Sequence, residues 1–199
     1  LTLMREWAGR GVTLDDPFDP ALVRTAPRDI RHVLADALAE ESTARTLSSL
    51  GIAYTVWHDV RTDAAGGGPE MKLDHIVLGP TGLFALLSED WGGPVRVRKG
   101  DLIGEVLGDE RPMNGLSLRA RSVARAARVR FTALVIVVPD DASEESLAVM
   151  GKSRGVPTVL VQRSRLADLL RSGLDGAPAI AGTELFELRT RLQAAVRFV

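Results

Sequence analysis

From Arg28 onward, apolar positions recur at helical spacing: Ile30, Val33, Leu34, Ala37, Leu38, Ala44 and Leu47, with Gly51 as a stop. The period then shortens. Ile52–Val60 reads as a strand, and Ala64–Pro69, with Gly66, Gly67 and Gly68, reads as a flexible loop. Leu73–Leu78 and Leu83–Leu87 are apolar runs separated by Gly79, Pro80, Thr81 and Gly82. That connection is too short for a crossover, so the two strands are expected to pair antiparallel. Pro94–Arg98 and Leu102–Val106 suggest a second hairpin around Gly100.

Helical spacing returns over Leu116–Val129, where Leu116, Ala120, Val123, Ala124 and Ala127 form one apolar face. Phe131–Val138 and Val156–Gln162 read as buried strands, and helices are expected over Ser164–Ser172 and Thr183–Val196. The order α-β-β-β-α-β with a βα tail predicts an α/β body around a mixed sheet, spanning residues 28–199. Residues 1–27 form an N-terminal appendage: Pro17, Pro20 and Pro27 sit among acids and break any long helix. Leu3, Met4 and Trp7 could dock one short turn of it onto the body.

Composition narrows the chemistry. The chain has 199 residues, with 45% hydrophobic and 26% charged, ordinary values for a globular protein able to bury its own core. The lack of cysteine excludes disulfides, thiolate metal sites and cysteine nucleophiles. No apolar run approaches the roughly 20 residues needed to span a bilayer, and no signal-peptide pattern is visible, so a cytoplasmic setting is the expectation. A net charge of −1 predicts no global attraction to nucleic acid. The distribution is uneven, however. Residues 111–139 hold six arginines and no acid, whereas acids cluster at Asp15, Asp16 and Asp19 and at Asp140, Asp141, Glu144 and Glu145. A local basic patch is therefore expected, with Arg121, Arg125 and Arg128 within about a 60° arc of one helix. Such a patch is either a solvated face or a phosphate-backbone contact, which needs clustered cations and no base code.

Several segments, in order, carry a family resemblance. Ala39-Glu40-Glu41-Ser42-Thr43-Ala44-Arg45-Thr46-Leu47 is similar to a Gly-Glu-x-x-x-Ala-x-x-Leu helix opening. His58-Asp59 closes the first strand. Leu73-Asp74-His75-Ile76-Val77-Leu78-Gly79-Pro80-Thr81-Gly82-Leu83-Phe84 resembles an Asp-His core signature, and Trp91-Gly92-Gly93 sits where a Trp-x-Gly would. Together they resemble the nuclease-related domain (NERD) family, a branch of the restriction-endonuclease-like PD-(D/E)xK fold, over roughly residues 38–138. The resemblance implies a metal-dependent phosphodiesterase: an Asp and the acid of a (D/E)xK strand hold Mg²⁺ or Mn²⁺, helped by a helix Glu, and the Lys orients or activates water. Hard carboxylate oxygens suit those ions, and an acid and a Lys two residues apart share one strand face.

This chain departs from the pattern at that strand. The acid-x-Lys triplet falls on Leu87-Ser88-Glu89, so the acid position has no ligand oxygen and the Lys position carries a carboxylate. Asp74 and Glu40 remain. The expectation is a catalytically impaired domain, a pseudoenzyme that needs no cofactor and binds DNA or a protein partner. The alternatives are a nuclease with a rearranged site, using Asp74, Glu40 and Glu89 with Mg²⁺ or Mn²⁺ (Asp74 as metal ligand), and a structural module. In the rearranged case Lys99 or Lys72 would have to supply the missing cation. Glu41 competes with Glu40: it falls inside the apolar stripe, whereas the resemblance favours Glu40. His58 and His75 read as structural hydrogen-bonded groups and Trp91 as a packing anchor. The Gly66–Gly68 run is not a phosphate loop, since no Gly-Lys-Ser/Thr follows.

Overall fold

The computed structural model describes residues 28–62 and 71–199, and side chains from residue 33. The expected appendage, the docking of Leu3, Met4 and Trp7, and the loop from Ala64 to Pro69 lie outside the described residues. The chain runs α1 (Arg28–Leu47), β1 (Thr55–Arg61), β2 (Leu73–Gly79), β3 (Gly82–Ser88), β4 (Arg96–Arg98), β5 (Asp101–Ile103), α2 (Pro112–Ala127), β6 (Ala133–Val138), β7 (Leu147–Ser153), β8 (Val156–Gln162), α3 (Arg163–Ser172), α4 (Gly182–Ala195) and β9 (Arg197–Phe198). Seven strands form one mixed sheet in the order β7-β8-β6-β3-β2-β1-β9, and β4-β5 is a separate hairpin.

The central strands explain the layering. Every residue of β2, β3 and β6 is buried, as expected for strands covered on both faces. Alternate side chains feed two cores. Leu83, Ala85 and Leu87 join Ile76, Leu78 and Ile136 beneath Leu116, Ala120 and Val123 of α2. Phe84 and Leu86 join Val77, Val135 and Val159 beneath Leu47 of α1 and Leu166 and Leu170 of α3. The result is a helix–sheet–helix sandwich.

The β2–β3 hairpin pairs antiparallel as expected, closing at Gly79↔Gly82 around Pro80 and Thr81. Both glycines are required. A Cβ at Gly79 would collide with the Tyr54 ring, and Gly82 adopts φ 152° with Thr132 packed against it. From β3 the chain crosses over through α2 and returns as β6, parallel to β3.

The sequence reading missed β7 and β9. The edge strand β7 pairs antiparallel with β8 and carries a bulge between Val149 and Gly151; an acid run before it and Gly151 within it mask its alternation. The first strand begins at Thr55, later than expected, because Gly51 turns with φ 84° and Ile52 is fully solvent-exposed. The apolar stripe of α1 is also rotated. Leu34, Ala39, Thr43 and Leu47 are buried, whereas Val33 and Leu38 are exposed. Ala39 and Thr43, neither of them strongly apolar, take two of the buried positions, which hydrophobicity alone does not reveal.

Candidate functional site

A small cleft of about 190 Å³ opens at the end of the sheet where β2 begins and β3 ends, lined by Asp36, Glu40, Lys72, Asp74, Leu87, Ser88, Glu89 and Arg119. The antiparallel hairpin puts Asp74 beside the end of β3, and the Ser88 amide donates to Asp74 Oδ2 at 2.8 Å. The Glu89 amide donates to the Val137 carbonyl at 3.0 Å, holding this end of β3 against β6. Helix α1 contributes Asp36 and Glu40, one turn apart and so on one face. Helix α2 contributes Arg119, which donates to the Lys72 carbonyl at 3.2 Å.

Lys72 is the hub. Its Nζ donates to Glu40 Oε2 and to Asp59 Oδ1, each at 2.7 Å, and stands 3.9 Å from Asp74 Oδ1. Asp59 has left-handed backbone, φ 51° within β1, a conformation that Asp tolerates better than most residues. Burial pulls the Lys72 ammonium down, but the bonds it donates to Asp59 and Glu40 outweigh that and hold its pKa above the usual lysine range.

The carboxylates are strained in the opposite sense. Burial, then the charge of Glu40, pushes Asp74 up to about 7, against the pull of the Ser88 amide, Lys72 and Arg119. Burial, then Asp36, Asp74 and Glu110, pushes Glu89 up to about 8. Burial also raises Glu40, opposed by Lys72. Glu89 is therefore mostly protonated at neutral pH. The charge reversal read from the sequence is a missing cation more than an added anion.

Asp74, Glu40 and Glu89 thus share one cleft. Asp36, Arg119 and the hub role of Lys72 were not read from the sequence; Asp36 lies four residues before Glu40, which was the available signal. Glu41 is outside the cleft, exposed and paired with Arg45. Lys99 sits in the β4–β5 turn with φ 53° and does not line the cleft. His58 and His75 face each other on β1 and β2, Nδ1 to Nδ1 at 2.9 Å. Burial, then the neighbouring His58, brings His75 down to about 3, so the His75 ring is held neutral in this contact. Trp91 is buried in the α2-side core and donates to Glu110 at 3.1 Å, a packing anchor.

The oxygen donors suit a hard divalent ion chemically, but their arrangement does not fit one. Among the described residues no group of three His, Asp or Glu side chains converges closely enough to hold a metal. Leu87, 3% exposed, offers no oxygen, and the Lys72 ammonium already lies among Glu40, Asp59 and Asp74.

A basic surface lies elsewhere on α2. Ser117 Oγ and Ser153 Oγ are 2.8 Å apart, docking α2 against the β7–β8 turn. That contact brings Arg154 close to Arg121, which also neighbours Arg125. The Arg154 charge, followed by slight burial and Arg125, holds Arg121 below the usual arginine range. Among the described residues none of these three arginines makes a salt bridge. Arg128 is apart from them: it caps the C-terminal end of α2 with φ 54°, and its carbonyl faces Arg191.

Residues 35–129 match the family model of the nuclease-related domain, and the mixed-sheet α/β body is consistent with a restriction-endonuclease-like domain. No curated protein and no solved structure matches the chain. No helix among the described residues is long and apolar enough to cross a membrane.

Proposed function

We propose that this chain, residues 35–129 of which match the family model of the nuclease-related domain, is a catalytically impaired member of that family that acts by binding nucleic acid. The observation that carries the impairment is Leu87, a buried alkyl side chain in the cleft wall where the family places an acid. Two residues on, Glu89 offers a largely protonated carboxyl where the family places a cation. Losing single electrostatic groups at a reacting centre commonly costs about 10²–10³-fold in rate.

The binding half of the reading rests on Arg121, Arg125 and Arg154. Arg121 is repelled by both Arg154 and Arg125, and among the described residues no acid pairs with any of the three, which favours a polyanion. Phosphate contacts of this kind are sequence-independent and salt-sensitive. Fluorescence anisotropy with labelled single- and double-stranded DNA tests it. Binding that weakens with salt and drops on Arg121→Ala with Arg125→Ala is expected. No binding to either form at low salt would transfer the role to a protein partner or to a structural module.

A further inference from the structure

We infer that Lys72 occupies the cation position of the cleft with its own ammonium group, so that the site accepts a divalent ion only when Lys72 is removed. The inference deepens the impaired-site reading and rests on it for the statement that no metal works here. Its evidence is separate from the basic patch.

The geometry is that of one cation held by oxygens from three elements. Glu40 comes from α1, Asp59 from β1 and Asp74 from the start of β2. Two of their oxygens lie 2.7 Å from Lys72 Nζ and the third lies 3.9 Å away. An ammonium has three donors and a single charge, so it bonds the Glu40 and Asp59 oxygens and stands as counter-ion to Asp74 without the dehydrated oxygen shell that Mg²⁺ demands. The Lys72 side chain is only 25% exposed and that of Asp74 only 3%. Arg119 fixes the Lys72 backbone from α2, so the lysine is held from both ends. A divalent ion entering this cleft must displace a half-buried, doubly bonded ammonium, or share the pocket with it at close range. Both are unfavourable in a partly desolvated site. Removing the ammonium inverts the balance: only Arg119 is left near Asp74, the carboxylates of Glu40, Asp59 and Asp74 repel one another, and a divalent ion is accepted by drawing together side chains that do not converge on one as they stand.

The test uses Mn²⁺ alone, with no nucleic acid, so that failure of DNA binding and failure of this inference are distinct results. For the unmodified protein, millimolar Mn²⁺ should leave Tm unmoved. The backbone amide of Ser88, which donates to Asp74, should broaden no more than amides far from the cleft. Lys72→Met should bind Mn²⁺ at least about tenfold more tightly. Its Tm should rise with ion concentration, its Ser88 amide should broaden selectively, and both effects should disappear when Asp74→Asn is added. Lys72→Arg, which keeps a cation, should behave as the unmodified protein. Selective broadening of Ser88 in the unmodified protein overturns the inference, and that measurement stands even if Lys72→Met fails to fold. A folded Lys72→Met protein that ignores Mn²⁺ overturns it equally.

Discussion

Asp74 accepts the Ser88 backbone amide through Oδ2 at 2.8 Å, across the open end of the β2–β3 pair. One oxygen of the acid that the sequence resemblance singles out for metal binding is thereby committed to holding the end of β3, while the other faces Lys72 at 3.9 Å. In this chain that residue is wired into the sheet.

This wiring sets a pH dependence. Asp74 lies near 7 and Glu89 near 8, both raised above their unfolded values. Between the unfolded and folded pKa values the folded state therefore binds more protons than the unfolded state, and stability falls as pH rises. Their contribution is fully present below about pH 4 and is lost as pH passes through about 7 to 8. Glu89→Gln should accordingly raise Tm at pH 9 and change it little at pH 5. Asp74→Asn should do the same, since its amide oxygen can still accept from Ser88. Urea unfolding at the two pH values checks both. A Glu89→Gln protein destabilised at pH 9 would show that the ionised carboxylate has a favourable partner and that burial does not control its pKa.

The basic surface makes a discriminating prediction. Arg154 belongs to the patch through the Ser117–Ser153 contact, whereas Arg128 caps the helix elsewhere. Arg121→Ala, Arg125→Ala and Arg154→Ala should each make the salt dependence of DNA binding less steep by about one phosphate contact. Arg128→Ala should change it less. Equal effects of Arg128→Ala and Arg154→Ala in anisotropy titrations would count against the patch as drawn.

The hairpin that supports the cleft is sensitive at its turn. Gly82→Ala places a Cβ against Thr132 in a backbone conformation that side chains rarely adopt, and should cost on the order of 1–3 kcal/mol. A chemical denaturation midpoint equal to that of the unmodified protein would mean that the turn relaxes freely.

The β2–β3 hairpin was legible in the sequence because two unbroken apolar runs and a Gly-Pro-Thr-Gly link leave few alternatives. The α2 face was legible from its helical spacing, and β6 from an unbroken apolar run. Edge strand β7 was not, since its exposed Leu147 and Val149 alternate with buried Ala148 and Met150 over a stretch interrupted by Gly151. In the site, Asp74 and Glu40 were reached through motif spacing, which encodes local geometry. The position of Lys72 was not, because its bond to Glu40 joins residues 32 apart and depends on how α1 rotates onto the sheet. In that rotation Ala39 and Thr43 take buried positions, which no periodicity of strongly apolar residues records.

Cleavage is the prediction that separates an impaired domain from a rearranged enzyme. The unmodified protein should show no Mg²⁺- or Mn²⁺-dependent cutting of single- or double-stranded DNA, because Leu87 supplies no oxygen and Lys72 is bonded to Glu40 and Asp59 instead of being free beside a phosphate. Leu87→Glu with Glu89→Lys restores the family's acid and lysine on one strand face. The double change carries a cost, since Leu87 also packs against the α2-side core, so circular dichroism must first show a folded protein. Even then Lys72 would still hold Glu40 and would face a second lysine across the cleft. Cleavage is therefore expected only when Lys72→Met is added, and Asp74→Asn should then abolish it. Cutting by the unmodified protein, lost on Asp74→Asn or Glu89→Gln, would show instead that Glu89 has been recruited and that Lys72 serves the reaction. If the folded triple variant cuts nothing, divergence extends beyond these three positions, and binding through the arginine patch is left as the activity to pursue.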